Sequence, residues 1–297
     1  MIVYYYKIVE FIKPDTFVVL FNLGNFDENI DMSFKFPWFK PDNNSVYLSY
    51  DAHRNNFGDI LNPIIANFFG SEKVKRISKR KCRKFTHYYM IGSILQRSTR
   101  NSIIWGSGFI SADSICDELP KKVLAVRGPL TREKLIELGV DCPKIFGDPA
   151  LLLPEVYPGN DKTPNYKLGV IPHYHDKNNS LLKSRFSNNP AINIIDVQNK
   201  NPLKVVDEML KCEKIISSSL HGIIIADAYK IPSVWVEFSD KVFGSGFKFR
   251  DYFESVGRLD KTPYQFDEFK NLDEILNVFE EYEIKIDLEK LKKSFPF

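Results

Sequence analysis

The stretch Lys214–Pro232 reads KIISSSLHGIIIADAYKIP, and its character changes twice. Ile215 and Ile216 open a short apolar strand. Ser217, Ser218 and Ser219 follow, and their hydroxyls can accept the orphan N–H groups of a helix's first turn. The helix body, Ile223, Ile224, Ile225, Ala226 and Ala228, is apolar nearly all round and is predicted to be buried. Pro232 stops it. His221 falls in the first turn, where free N–H groups and the positive end of the macrodipole favour an anion. An imidazole there is placed for acid–base chemistry beside a bound anion. The plainer reading is a structural histidine that donates to a backbone carbonyl.

The same alternation extends outward. Leu168–Ile171 reads as a strand ending in Pro172 and His173. Ala191–Val197 reads as a strand, Pro202–Cys212 as a helix, Lys214–Ser218 as a strand and Ser233–Phe238 as another. Strands alternating with helices predict a parallel sheet in an α/β fold. After Gly244–Gly246, the run KFRDYF offers Lys248 and Arg250 as cations.

The N-terminal half repeats the theme without a visible sequence repeat. Val46–Ser49 reads as a strand that runs into YDAHRNNFGDILNPIIANFFG. Asn55, Asn56 and Gly58 make a loop, and Asp59 opens a helix with the apolar stripe Ile60, Leu61, Ile64, Ile65 and Phe68. Such a unit can present a helix N-terminus to a ligand, although no G-x-G-x-x-G or Walker pattern is present and a plain capped turn explains the spacing too. His87–Leu95 and Ser102–Phe109 read as strands. In WGSGF, Gly106 and Gly108 flank Ser107 and would let backbone approach a ligand closely; packing glycines in a tight turn are the alternative. Val123–Val126 is a buried-type strand with Arg127 at its C-terminal end, followed by a helix that Pro129 starts and Gly139 closes. Ligands of open α/β sheets sit beyond strand C-termini, so Arg127 is offered where a carboxylate or phosphate binds. A salt bridge to a nearby acid such as Glu133 is the competing role. Gly147, Asp148 and Pro149 form a turn in FGDPALLLP.

Composition bounds the rest. A chain of 297 residues with 43% hydrophobic and 27% charged residues fits about two ordinary globular domains. A net charge of +3 does not argue for nucleic acid. Four cysteines at 82, 116, 142 and 212 form no C-x-x-C pair and stand near no histidine at zinc spacing, which points to a reducing, cytoplasmic setting without a structural metal. The first residues, MIVYYYKIVEFIK, are too interrupted by charge for a signal peptide, and no apolar run approaches membrane-span length. Lys73–Lys84 (KVKRISKRKCRK) holds eight basic residues and no acid. It reads as a solvated face, or as a peripheral contact with an anionic membrane surface. Tyr157–Asn165 reads as a linker. The domains expected are 1–157, with 1–45 as an appendage bearing a strand at Thr16–Phe21, then 166–265, then terminal helices over 266–297.

NFGD, WGSGF, VRGPLTRE, FGDPALLLP, the strand-end IPH and SSSLHGIIIADAYKIP resemble, in order and spacing, the polysaccharide pyruvyl transferases. The resemblance covers about residues 46–256, and VRGPLT, GDPA and SSLHG are its specific parts. It implies two Rossmann-like domains facing one cleft, as in GT-B glycosyltransferases. It also implies transfer of a pyruvyl group from phosphoenolpyruvate to a sugar as a cyclic ketal, without metal or nucleotide cofactor. Arg127 matches the donor-binding arginine and His221 the essential histidine. The chemistry needs convergent cations and N–H donors for a phosphate and a carboxylate. Arg127, Lys248 or Arg250, and the His221 helix can supply them. Asp59 or Asp148 is a candidate base, and His173 or His53 an alternative acid. Asn56, Gly58, Gly106, Ser107, Gly108, Ser218 and Ser219 complete the expected substrate site. A sugar-nucleotide glycosyltransferase and a non-catalytic glycan-binding protein are the competing functions; no paired acidic motif for a nucleotide-bound metal favours the former.

Overall fold

A computed structural model describes residues 7–8, 19–20, 45–52, 56–70, 73–160, 163–186 and 188–297. Met1–Asn43 and Asn44–Phe297 are two compact units. In the first, the described residues are an antiparallel pair, β1 (Lys7–Ile8) and β2 (Val19–Leu20). The rest of the strand expected at 16–21 lies outside the described residues, as do His53 and Asn55.

The second unit contains two five-stranded sheets, parallel throughout. The first is built from β3 (Ser45–Leu48), β4 (Lys73–Arg76), β5 (His87–Tyr89), β6 (Ser102–Trp105) and β7 (Lys122–Ala125), in the order β4-β3-β5-β6-β7. The second is built from β8 (Leu168–Ile171), β9 (Ile192–Ile194), β10 (Ile215–Ser217), β11 (Ser233–Glu237) and β12 (Tyr264–Gln265), in the order β9-β8-β10-β11-β12. Numbered within each sheet, both orders are 2-1-3-4-5, an order of doubly wound α/β folds. The chain therefore changes winding direction between β3 and β5 in one sheet and between β8 and β10 in the other. At these switch points the loops diverge and leave a crevice beyond the strand C-termini.

Helices connect the strands. They are α1 (Phe57–Phe69), α2 (Lys79–Cys82), α3 (Pro129–Glu137), α4 (Leu153–Val156), α5 (Ser180–Phe186), α6 (Pro202–Leu210), α7 (Leu220–Ala228), α8 (Phe247–Val256), α9 (Leu272–Leu276) and α10 (Leu288–Lys293). None of the described helices is long and apolar enough to cross a membrane. Helix α7 is buried as its composition requires: Ile223, Ile224 and Ile225 are all 0% exposed, and each contributes about 1.5–3 kcal/mol of burial. It packs on β10, β11 and the 3-10 turn Pro149–Leu152.

Three expected strands are shorter than the apolar runs that suggested them. β5 ends at Tyr89, because Gly92 (φ 124°) turns the chain into a loop and a 3-10 turn at Leu95–Arg97. β6 ends at Trp105, where Gly106 (φ 91°) breaks the extended path. β9 covers only Ile192–Ile194 of the stretch 191–197. Just before the expected terminal helices, Tyr264 and Gln265 add β12 to the second sheet; α9 and α10 lie within 266–297, and Trp105 of the first sheet donates from Nε1 to the Leu291 carbonyl at 3.1 Å. The basic stretch forms the edge strand β4 and the short α2, where Lys79 pairs with Asp117 and Arg83 with Glu118.

A buried ion pair ties the end of β7 to α8. Arg127 and Asp251 are both 0% exposed; Arg127 Nε donates to Asp251 Oδ2 at 2.9 Å. Asp251 also accepts from Thr131 N at 2.8 Å and Thr131 Oγ1 at 2.7 Å, in the first turn of α3. Gly128 is required between them, since a Cβ there would overlap the Asp251 backbone. Removing one partner strands a buried charge, so Asp251→Ala should cost about 3–5 kcal/mol of stability in urea denaturation. Glu254→Ala, exposed on the same helix, should stay within about 0.5 kcal/mol of the wild type. Equal effects of the two substitutions would deny the pair its structural role.

Candidate active site

A pocket of about 260 Å³ opens at the switch points of both sheets. From the first sheet come Asp51, Asn56 and Asp59 after β3, and Gly92–Ile94, Gln96 and Arg97 after β5. From the second come His173–His175 after β8 and Ser219–His221 after β10, with Lys248 of α8 beside them.

Two helix N-termini point their open ends here. Asn56 is the N-cap of α1 and Ser219 that of α7, and neither side chain makes a capping hydrogen bond. The expected serine cap on α7 is therefore absent. Ser217 Oγ instead lies within reach of the Ile171 and Ser219 carbonyls, to either of which its one proton can be donated, and accepts from Ser219 N, which holds the strand-to-helix turn. First-turn N–H groups without side-chain caps, at the positive ends of two helices, favour an anion.

His221 stands where these ends meet. It is 7% exposed, and a Cβ on Gly58 would overlap its ring, so glycine is what allows α1 to close on the imidazole. His221 Nε2 lies 3.6 Å from Asp148 Oδ2, too far for a hydrogen bond but close enough for charge to matter. Among the described residues, the buried side-chain polar atoms without a hydrogen bond are Asp59 Oδ1, Gln96 Oε1, Asp148 Oδ2 and His221 Nε2. All belong to residues that line this pocket or face His221. Buried polar groups are ordinarily satisfied, so their concentration here marks the place as built for something other than packing.

The charged groups are shifted. Burial pushes the Asp59 carboxyl up to about 6, against the pull of His221. Burial lowers the Lys248 ammonium to about 8, with Arg127 adding to the effect. Lys248 is 8% exposed; its ammonium lies 5.6 Å from the centre of the Phe249 ring and makes no hydrogen bond or ion pair among the described residues.

Of the residues expected from the sequence, Asn56, Asp59, His173, Ser219, His221 and Lys248 line this pocket. Gly58 and Asp148 pack directly against His221. Ser218 lies behind the wall, donating to Asp176 Oδ2 at 2.9 Å and accepting from His173 N at 2.8 Å, so it sets the His173 loop. Gly106, Ser107 and Gly108 do not line the pocket. The close approaches that the two glycines permit are to Pro149 and to the Arg127 guanidinium, and Ser107 Oγ donates to the Gly92 carbonyl. Arg127 is enclosed as well. Its fork serves Asp251, the Phe109 carbonyl and Ser93 Oγ, and only Ser93 reaches the pocket. Its acidic partner is Asp251 rather than Glu133. Arg250 donates to the Ser245 carbonyl, outside the pocket. Ser93, Gln96 and Arg97 are not legible as site residues in the sequence, because the apolar run 87–95 reads as one strand and conceals the loop after β5. It also missed Asp176, which a strand end followed by three polar or aromatic residues could have flagged.

The profile of one protein family, Polysaccharide pyruvyl transferase, matches residues 12–240. The chain belongs to that family. The match begins inside the stretch read from sequence as an appendage. The chain is 32% identical over 226 residues to an uncharacterised protein of Acanthamoeba polyphaga mimivirus, covering 74% of this chain and 77% of the relative. It is 25% identical over 217 residues to the succinoglycan biosynthesis protein ExoV of Rhizobium meliloti, covering 70% of this chain and 64% of ExoV. In this transferase, the segments that carried the sequence resemblance thus meet in space around His221 and Arg127.

The raised Asp59 value yields a stability test. The folded protein keeps a proton that the unfolded chain, with a carboxyl near about 3.9, releases. The carboxyl's contribution is therefore favourable below about pH 4 and is lost as pH rises through about 6. Asp59→Asn should stabilise the protein at pH 7 by on the order of 2–3 kcal/mol and flatten the stability profile between about pH 4 and 6. An unchanged profile would show that Asp59 ionises as a solvated carboxyl does.

Proposed function

We propose that this family member transfers the pyruvyl group of phosphoenolpyruvate onto two hydroxyls of a glycan sugar, forming a pyruvate ketal and releasing phosphate. The halves 44–157 and 166–265 then act as two Rossmann-like domains meeting at the pocket in a GT-B-like manner. The observation that carries the reading is the combination in one pocket of an unpaired buried ammonium, two uncapped helix N-termini and His221. An acid and two anionic groups to be held are what the donor demands.

The steps follow from the positions. Lys248 and the N–H groups of α1 and α7 hold the donor's phosphate and carboxylate. Arg127 acts on the donor side through Ser93, which it fixes. His221, with Asp148 behind it, delivers a proton to the methylene carbon, which becomes a methyl group. The first sugar oxygen bonds to the neighbouring carbon as Asp59 takes its proton. The bond from that carbon to the phosphate oxygen breaks, and the second hydroxyl closes the ketal. Of the two protons the diol gives up, one ends on the methyl group and the other on the released phosphate.

The basic residues of β4 and α2 belong to this reading as a surface. β4 runs parallel to β3, so α2 follows the same C-terminal rim on which the pocket opens. We assign that rim to an anionic membrane surface bearing a lipid-linked acceptor, at the cytoplasmic face. Neutralising Lys79, Arg80 and Lys84 together should weaken flotation with phosphatidylglycerol vesicles in a salt-dependent way. Equal flotation before and after would return the run to a solvated face.

Kinetics test the chemistry. His221→Ala should lower turnover by about two to four orders of magnitude, and His221→Gln nearly as much, since glutamine cannot deliver a proton. Lys248→Met should raise the KM for phosphoenolpyruvate and remove the loss of donor affinity expected as pH rises through about 8. Phosphate release by His221→Gln at the wild-type rate would move the acid elsewhere in the pocket.

A further inference from the structure

The reaction pocket is small for its task. At about 260 Å³ it lies below the about 300–1,000 Å³ of pockets that enclose a whole small ligand. A donor and one sugar ring fill it, so the rest of a glycan must leave over its rim. Beside it, beyond the C-terminal ends of β8 and β9, lies a second crevice of about 170 Å³. Tyr174 lines both.

The lining of the second crevice differs from the first. Pro172, Ile195 and Val197 form an apolar floor. Ile194 stands at the end of β9 with 37% of its surface exposed, a large apolar side chain left open at a strand terminus. At the rim, Lys177 Nζ and Asp196 Oδ2 form an exposed ion pair at 2.6 Å. A pyranose presents these two characters at once: C–H faces that pack on apolar and aromatic side chains, and a belt of hydroxyls that exchange hydrogen bonds with charged groups. The charged rim and the small volume disfavour a lipid chain, which would need a long unbroken apolar channel.

We propose that this crevice is an acceptor subsite that takes the sugar unit next to the one being pyruvylated, with Tyr174 between the two rings. The proposal rests on the glycan-acceptor reading above and adds to it that the enzyme acts on a sugar already linked to another. Tyr174, Ile194 and the Lys177–Asp196 pair become specificity-determining residues. Ile194, Lys177 and Asp196 lie outside the reaction pocket, so their effect falls on the choice of acceptor.

The test compares methyl glycosides of glucose, galactose and mannose with the matching β-1,4-linked disaccharides, each with phosphoenolpyruvate. The wild type should show a kcat/KM about tenfold or more higher for a disaccharide than for its monosaccharide, and Ile194→Glu should bring that ratio to about one. Ile194→Ser should give an intermediate ratio. A wild-type ratio near one, or a ratio that Ile194→Glu leaves intact, overturns the subsite. If no acceptor in the set is turned over, the donor chemistry is what has failed, and saturation-transfer NMR with the same sugars decides the subsite alone. Transfer to the second ring in the wild type and its loss in Ile194→Glu supports it; equal transfer, or none, overturns it.

Discussion

The pocket depends on one steric fact: α1 comes so close to the His221 ring that only a residue without a Cβ fits at position 58. This contact joins the first turn of α1, from one sheet, to the first turn of α7, from the other. Two positive helix ends are thereby directed at one small volume. Carboxylates complete the balance. Asp59, in the first turn of α1, has its carboxyl pushed up to about 6 by burial, and Asp148 faces the imidazole from the 3-10 turn that α7 packs on. A methyl group at position 58 would collide with the His221 ring at Nδ1 and separate the helix ends.

The two buried cations of the site have opposite roles, and the difference is one of pairing. Arg127 is fully occupied: its planar fork is matched by Asp251, Ser93 and a carbonyl, and the carboxylate that holds it also holds the N-terminus of α3. Such a pair stiffens the wall but has little left for a ligand. Lys248, one turn earlier on the same helix as Asp251, has no partner carboxylate among the described residues, and burial lowers its affinity for a proton. A cation kept in that condition gains most from an arriving anion. Helix α8 thus puts an unpaired cation at the pocket on one turn and, on the next, an acid paired with Arg127 outside the pocket lining.

A second buried network shows the same economy away from the chemistry. Asp227 of α7 accepts from Arg258 at 2.8 Å, from Tyr252 at 2.7 Å and from Tyr282 at 2.6 Å, while Arg258 lies over the Tyr282 ring. The C-terminal end of α7 is locked by these bonds, so its N-terminal end can remain uncapped without the helix shifting. Fixing one end of a helix to leave the other open suits an anion site, because a side-chain cap would compete with the ligand for the same N–H groups.

The sequence by itself determined the α/β alternation, the buried helix after SSSLHG, the position of His221 in its first turn and the pocket-facing ends of β3 and β8. These are local properties, set by apolar periodicity and by which residues can start or stop a helix. Asn56, Asp59, His173, Ser219, His221 and Lys248 could be nominated on that basis, and the family could be recognised from the order of short motifs. What only the tertiary structure decided was the partner of each group. Arg127 reads as an exposed anion binder from its place at a strand end, but Asp251, more than a hundred residues away, claims it. Gly106 and Gly108 read as ligand-facing, yet the atoms that approach them belong to Pro149 and Arg127. Gln96 and Arg97 lay concealed behind an apolar run, because a glycine with φ of 124° turns a strand into a loop without changing its hydropathy. Pairing, burial and backbone path depend on contacts between residues distant in sequence, and those contacts exist only once both sheets have formed.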